Sequence, residues 1–100
     1  MTTIFLLALA PAAAFVDRVY LTRGSTIREG RSKYMVLLRE DGMVLDDGIV
    51  LRLADDRFLA TVSSGHAQHV LAHFEFWRDR EFARNGVALT DVTEAWAVIV

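Results

Sequence analysis

Three apolar segments in the middle of the chain are separated by two turn signals, and this pattern constrains the fold more than any other feature. The first signal, Glu40-Asp41-Gly42, is typical of a β-hairpin, and the second is Asp55-Asp56. Hairpins join antiparallel strands. We therefore predict three consecutive antiparallel strands, at residues 34–38, 43–53 and 58–62.

Two amphipathic segments predict helices before and after these strands. Pro11 suits the first turn of a helix, and apolar residues then recur at helical spacing up to an end near Tyr20. A second helix follows the capping residues 63–65 and ends before Asn85-Gly86. The two apolar stripes comprise Ala12, Phe15, Val16 and Val19, and Ala67, Val70, Leu71, Phe74 and Trp77.

Three further apolar segments complete the predicted order of elements. Residues 4–9 form a continuous apolar strand, which suits a central position covered on both faces. Residues 87–89 and 95–100 form the last two strands. The order β-α-β-β-β-α-β-β predicts an α+β fold, with a mainly antiparallel sheet and two helices on one face. We expect a single domain spanning residues 1–100.

The composition limits the classes of function. The chain has 100 residues, of which 53% are hydrophobic and 24% charged, as in a small globular domain. The net charge is −2 and Lys and Arg form no cluster, which argues against nucleic acid as a partner. The chain contains no cysteine, so it has neither disulfides nor thiolate metal sites. A reducing compartment is compatible with this composition.

The apolar N-terminal stretch, residues 4–10, has the composition of a short secretory signal. Met1-Thr2-Thr3 carries no Lys or Arg, however, and a signal peptide usually begins with positive charge. The stretch is also far too short to span a bilayer. We therefore interpret it as a buried first strand, and we expect a cytoplasmic protein without membrane contact.

The pair Asp46-Asp47 lies within the long second strand of the predicted hairpin. Because strand side chains alternate between faces, Asp46 shares one face with Arg52, whereas Asp47 shares the other with apolar residues only. An unpaired carboxylate on an apolar face costs on the order of several kcal/mol, so Asp47 is the first candidate site residue. A structural role is the alternative, through an Arg partner, backbone hydrogen bonds or a bulge at Gly48. We interpret Asp46 as solvated or orienting. The apolar companions of Asp47 are Met43, Leu45, Ile49, Leu51 and Leu53.

The run from Gly30 to Gly48, GRSKYMVLLREDGMVLDDG, resembles the aminomethyltransferase-like domain of the sarcosine oxidase α subunit. The resemblance continues through RLADD at residues 52–56 and VLAHFEF at residues 70–76. The pattern around Asp46-Asp47 is also similar to that of the glycine-cleavage T-protein and dimethylglycine oxidase. The chain is thereby identified as a member of this family.

The resemblance implies a role in amine oxidation and one-carbon transfer. In this family an amine is oxidised at a separate flavin site, and tetrahydrofolate bound to this domain accepts the one-carbon unit. The resemblance makes Asp47 the catalytic carboxylate near the reactive folate nitrogen. Tyr34 matches a residue that lines the pterin region, and an ordinary core tyrosine is the alternative. We expect Tyr34, Asp46 and Asp47 to bind tetrahydrofolate, and we expect neither a metal nor a flavin in this chain.

The chain departs from the family pattern at several points that bear on activity. The family's segment before the first strand, with an Asp-Val-Ser type motif, has no counterpart in residues 1–3, and Leu21-Thr22 stand where the family usually has Thr-Asn. The family domain also continues beyond the point that matches Val100. We therefore expect a fragment or truncated paralogue of an oxidoreductase, with an open folate pocket and little or no catalysis alone. Other oxidase subunits are the expected protein partners.

Two alternative functions stay open. The chain could be a non-catalytic assembly module that self-associates or docks on a partner through its last strand, residues 95–100, and nearby aromatic side chains. Alternatively, three imidazoles on one side of the second helix could bind zinc, although a polar flank of the apolar stripe explains them more simply. The aromatic residues are Phe76, Trp77, Phe82 and Trp96, and the imidazoles belong to His66, His69 and His73.

Overall fold

The computed structural model describes residues 2–82 and 86–95 of the chain. Within these residues, five strands and two α-helices form an α+β fold, as predicted. A π-helical turn, Arg78–Phe82, extends the second helix. The elements are β1 (Thr2–Ala8), α1 (Ala12–Val19), β2 (Ser32–Leu38), β3 (Val44–Ala54), β4 (Arg57–Ser63), α2 (Ala67–Trp77) and β5 (Ala88–Asp91).

The five strands form one sheet in the order β2-β3-β4-β1-β5, and each neighbouring pair is antiparallel. The central position predicted for the first strand is confirmed, because β1 lies between β4 and β5. Ile4 and Phe5 are both buried, with exposed fractions of 4% and 2%. Since successive strand residues point to opposite faces, β1 is covered on both sides at this point.

Both helices pack on one face of the sheet, which we call the helix face, and this prediction is also confirmed. All four residues of the predicted α1 stripe are buried, because their spacing places them on one side of the helix. In α2 only Val70 and Phe74 are fully buried. The rings of Phe15 and Phe74 meet edge to face, with centroids 5.7 Å apart. The strands contribute Phe5, Leu7, Met35, Leu37, Val50, Phe58, Ala60 and Val62 to this core.

The C-terminal elements differ in part from the prediction. Ala95, predicted to begin the last strand, belongs to a 3-10 turn, Thr93–Ala95, whose first residue donates its backbone N–H to the Asp91 carboxylate at the end of β5. The rest of that predicted strand, residues 96–100, lies outside the described residues. The proposed docking through the last strand therefore stays a prediction. Regular α-helix ends at Trp77, earlier than the expected end before Asn85, which also lies outside the described residues.

Candidate functional site

The β2–β3 hairpin positions the candidate site residues. Its turn contains Gly42 at φ 85°, a left-handed conformation that glycine adopts without steric cost. The ladder that follows pairs Tyr34 with Ile49 and Val36 with Asp47. Tyr34 and Asp47 are therefore diagonal neighbours on one face of the sheet, within reach of a long aromatic side chain.

Tyr34 and Asp47 are joined directly. The Tyr34 hydroxyl donates a hydrogen bond to Oδ2 of Asp47. This hydrogen bond raises the pKa of the Tyr34 hydroxyl, and partial burial and the negative charges of Asp47 and Asp46 raise it further. The phenol consequently stays protonated near neutral pH and stays a hydrogen-bond donor to the carboxylate.

The pair lies on the sheet face opposite the two helices, which we call the open face. Tyr34 is 57% exposed and Asp47 is also exposed. Their neighbours on this face are apolar: Ile49 is 42% exposed, and Val36 and Leu51 are half-buried. The open face thus offers one hydrogen-bonded acid on an apolar surface that a ligand can reach.

This arrangement corrects the reasoning that selected Asp47, because the apolar face of β3 that it shares faces away from the helices and leaves its carboxylate exposed rather than costly. The helix face of β3 carries Asp46, Gly48, Val50 and Arg52 instead. The prediction was wrong because both faces of β3 carry apolar residues, so alternation alone does not indicate which face the helices cover. Arg52 fits the helix face by placing its guanidinium 5.1 Å from the ring centroid of Phe58 and donating to the Ile27 carbonyl at 2.9 Å.

Asp46 is the buried member of the aspartate pair, with an exposed fraction of 6%. Its Oδ2 accepts a hydrogen bond of 2.8 Å from the Ser63 backbone N–H, and its Oδ1 lies 3.6 Å from Nδ1 of His66. Burial, and after it the charge of Asp46, raise the pKa of the buried Tyr20 hydroxyl. The expectation that Asp46 is solvated was therefore wrong, whereas the alternative that it is an orienting residue agrees with its contacts.

The structure separates the three predicted folate-binding residues into two groups. Tyr34 and Asp47 lie together on the open face, and the Asp46 carboxylate lies on the helix face. Thr61 is a residue that the sequence analysis did not identify, although its hydroxyl bonds the backbone of Ile49, two residues from Asp47. A threonine in a strand is common, and no motif marks it.

The three imidazoles, that of His66 in the turn before α2 and two on α2 itself, line a groove between α2 and the β2–β3 hairpin. The groove, about 620 Å³ in volume, is bounded by His66, His69 and His73 together with Arg39, Val44 and Leu45. Partial burial lowers the pKa of His73, against an opposing effect of Glu40. Within residues 2–82 and 86–95 no three acidic or imidazole side chains are placed to hold a metal ion. The zinc alternative therefore has no support in the described part of the chain.

None of the helices in the described residues is both long enough and apolar enough to cross a bilayer.

Comparison with known proteins identifies the same family as the motif residues. The GCVT N-terminal domain family matches residues 10–100. The sarcosine oxidase subunit alpha of Corynebacterium sp. strain P-1 is 41% identical over 90 residues, which are 90% of this chain and 9% of the relative. The aminomethyltransferase of Corynebacterium aurimucosum is 36% identical over 59 residues, which are 59% of this chain and 16% of the relative.

A solved structure agrees with these sequence matches. The glycine cleavage system aminomethyltransferase T from Bartonella henselae superposes with a TM-score of 0.76 at 28% identity, over 89% of this chain and 24% of that one. The chain thus spans 9% of the length of the sarcosine oxidase relative and about a quarter of the aminomethyltransferase structure. The resemblance found in the sequence is confirmed, and the chain belongs to the GCVT N-terminal domain family.

Proposed function

We propose that the chain forms part of a tetrahydrofolate-binding enzyme, in which the folate accepts a one-carbon unit from an oxidised N-methyl amine. The observation that carries this proposal is the hydrogen bond from Tyr34 to Asp47 on the open face. The names of the relatives, sarcosine oxidase subunit alpha and aminomethyltransferase, support amine oxidation and aminomethyl transfer as the chemistry.

The residues around this pair fit a flat heterocycle with a polar edge. Val36, Ile49 and Leu51 provide an apolar surface against which a ring can pack. The carboxylate of Asp47 is an acceptor, and the edge of a reduced pterin carries N–H and amino donors. Tyr34 adds an aromatic ring that is largely exposed and available for contact.

Asp47 is the residue that we propose acts on the reacting nitrogen. When bound, tetrahydrofolate would supply the amine to which the one-carbon unit becomes attached. The charge of Asp47 stabilises the positive charge that develops on a nitrogen as it forms a new bond to carbon. The same carboxylate can accept the proton that this nitrogen releases. Tyr34 keeps the carboxylate oriented, because its hydroxyl occupies Oδ2.

Amine oxidation itself is proposed to take place in another part of the complete enzyme. The chain spans only 9% of the sarcosine oxidase relative, and the resemblance implies a separate flavin site and further oxidase subunits as partners. We therefore expect the chain alone to bind folate weakly and to show little or no turnover. The cytoplasm is the proposed location, since the chain has no cysteine and suits a reducing compartment.

A titration of the chain with tetrahydrofolate, followed by calorimetry under anaerobic conditions, tests this proposal. Asp47→Asn keeps the size of the side chain and removes its charge, so we expect affinity at least about tenfold below that of the wild type. Asp41→Asn is the matched control, because Asp41 is an exposed acid in the turn of the same hairpin and pairs with Arg39. Equal affinities for wild type and Asp47→Asn, or no binding by the wild type, would contradict the proposal.

A further inference from the structure

Near Asp47, hydrogen bonds from side chains take the place of the backbone pairing between β3 and β4. The paired residues of the two strands begin with Ala54 opposite Arg57 and end with Val50 opposite Ala60. At the next position, the Thr61 hydroxyl accepts a 2.8 Å hydrogen bond from the Ile49 N–H and donates a 3.0 Å bond to the Ile49 carbonyl. One hydroxyl thus satisfies both backbone groups of Ile49 that face β4.

The strand is held on the other side of Asp47 as well. Asp46 accepts a hydrogen bond from the Ser63 N–H. Between these anchors, the backbone at Gly48 lies so close to Thr61 that a Cβ atom there would collide with the Thr61 carbonyl oxygen and hydroxyl. Asp47 is therefore carried by a short stretch of β3 whose two ends are bound to β4 through Thr61 and Ser63.

Thr61 is also linked to Tyr34 through the sheet. Ile49, which Thr61 holds, is the cross-strand partner of Tyr34 in the β2–β3 ladder. The position of the Ile49 backbone thus affects both members of the hydrogen-bonded pair. A ligand-binding carboxylate must be held within about 0.5 Å of its working position, which side-chain anchors on a neighbouring strand can provide.

We propose that Thr61 is a positioning residue for the Tyr34–Asp47 pair, acting through the backbone of Ile49. Its effect on ligand binding rests on the proposed folate function, whereas its effect on the pair itself does not. Thr61 lies on β4. Among the described residues, its hydroxyl forms hydrogen bonds with the backbone of Ile49, and with neither Tyr34 nor Asp47. Its role is therefore separable from that of the two residues it holds.

The test compares three variants of the full chain with the wild type, and uses Tyr34→Phe and Asp47→Asn as references. Thr61→Val keeps the shape of the side chain and removes the hydroxyl, and Thr61→Ser keeps the hydroxyl and removes the methyl group. Thr26→Val is the matched control, because the Thr26 hydroxyl also bonds a backbone carbonyl, that of Arg23, in an exposed turn. The first readout, taken without ligand, is the ¹³C resonance of the Tyr34 Cζ atom, assigned with Tyr34→Phe.

The Tyr34 resonance reports the hydrogen bond to Asp47 and does not depend on folate. We expect Thr61→Val to shift it in the direction that Asp47→Asn does, and Thr61→Ser and Thr26→Val to leave it in place. A wild-type resonance in Thr61→Val would overturn the proposal. So would a displaced resonance in Thr61→Ser, because methyl packing rather than the hydroxyl would then matter.

The second readout is the affinity for tetrahydrofolate. We expect Thr61→Val to bind about tenfold more weakly than the wild type, and Thr61→Ser to bind like the wild type, since small displacements of a binding group have large effects. If the wild type binds no folate while Thr61→Val still shifts the Tyr34 resonance, the proposed function fails and the positioning role of Thr61 stands.

Discussion

The Tyr34 hydroxyl donates a hydrogen bond to Asp47 across the β2–β3 ladder, on the face of the sheet opposite both helices. Asp46, the adjacent residue in β3, is instead buried on the helix face and bonds the Ser63 backbone. The alternation of a single strand thus divides two neighbouring carboxylates between a surface open to ligands and the core. Substitutions of the two are expected to have different consequences.

The neighbouring aspartates should differ in their contribution to stability. Asp46→Ala removes a buried carboxylate that accepts a part-buried hydrogen bond from the Ser63 N–H, so we expect the free energy of unfolding to fall by about 1–3 kcal/mol. Asp47→Ala removes an exposed side chain, and we expect a change within about 0.5 kcal/mol. Urea denaturation followed by circular dichroism measures both values. A larger loss for Asp47→Ala than for Asp46→Ala would contradict the assignment of faces.

Tyr34→Phe tests the hydroxyl of the site pair. The variant keeps the ring and loses the donor to a charged acceptor, so we expect folate affinity about tenfold or more below the wild type. Stability should change little, because Tyr34 is 57% exposed. Phe76→Leu is the control, since Phe76 is an exposed aromatic of α2, away from the open face. A Tyr34→Phe variant that binds folate like the wild type would remove the hydroxyl from the site.

Gly48→Ala should destabilise the protein by steric conflict. The added methyl group meets the backbone carbonyl of Thr61, so a strand must move, and we expect a loss of about 1–3 kcal/mol. Gly65→Ala is the matched control, because a Cβ atom at Gly65 has no atom within 4 Å. Thermal unfolding of the two variants compares them. A Gly48→Ala protein as stable as Gly65→Ala would show that β3 and β4 are not in close contact there.

The stability of the protein should fall as the pH drops from 7.5 to 5.5. Burial lowers the pKa of His73 in the folded state, so below its ordinary value of about 6.5 the unfolded chain binds more protons than the folded chain. The folded state therefore loses stability as the pH falls through this range. We expect the decrease to be smaller in His73→Gln than in the wild type, and also smaller than in His69→Gln, the matched substitution at an exposed position of the same helix. An identical pH dependence in His73→Gln and the wild type would contradict the burial of His73.

Local patterns predicted the elements of the fold well. The spacing of Phe15, Val16 and Val19 predicted both the helix and its buried side, because helical periodicity depends only on neighbouring residues. The turn residues ending in Gly42 predicted the β2–β3 hairpin for the same reason.

The orientation of β3 could not be predicted locally. Which of its faces becomes the core depends on distant residues such as Phe74, which packs on the helix face. The alternation of side chains along β3 therefore selected Asp47 for a wrong reason. The family resemblance, in contrast, identified Tyr34 and Asp47, which the structure brings together. Thr61 was missed because its role depends on the register between β3 and β4.

Chemical-shift mapping by ¹H–¹⁵N NMR tests the central claim most directly. The uniformly ¹⁵N-labelled chain is titrated with tetrahydrofolate under reducing conditions, and the chemical shifts of its backbone amides are recorded at each step. We predict saturable shifts at Tyr34, Asp47 and Ile49, with smaller changes in α1 and α2. Shifts confined to the two helices and the groove beside His69, with none at Asp47, would contradict a folate site on the open face.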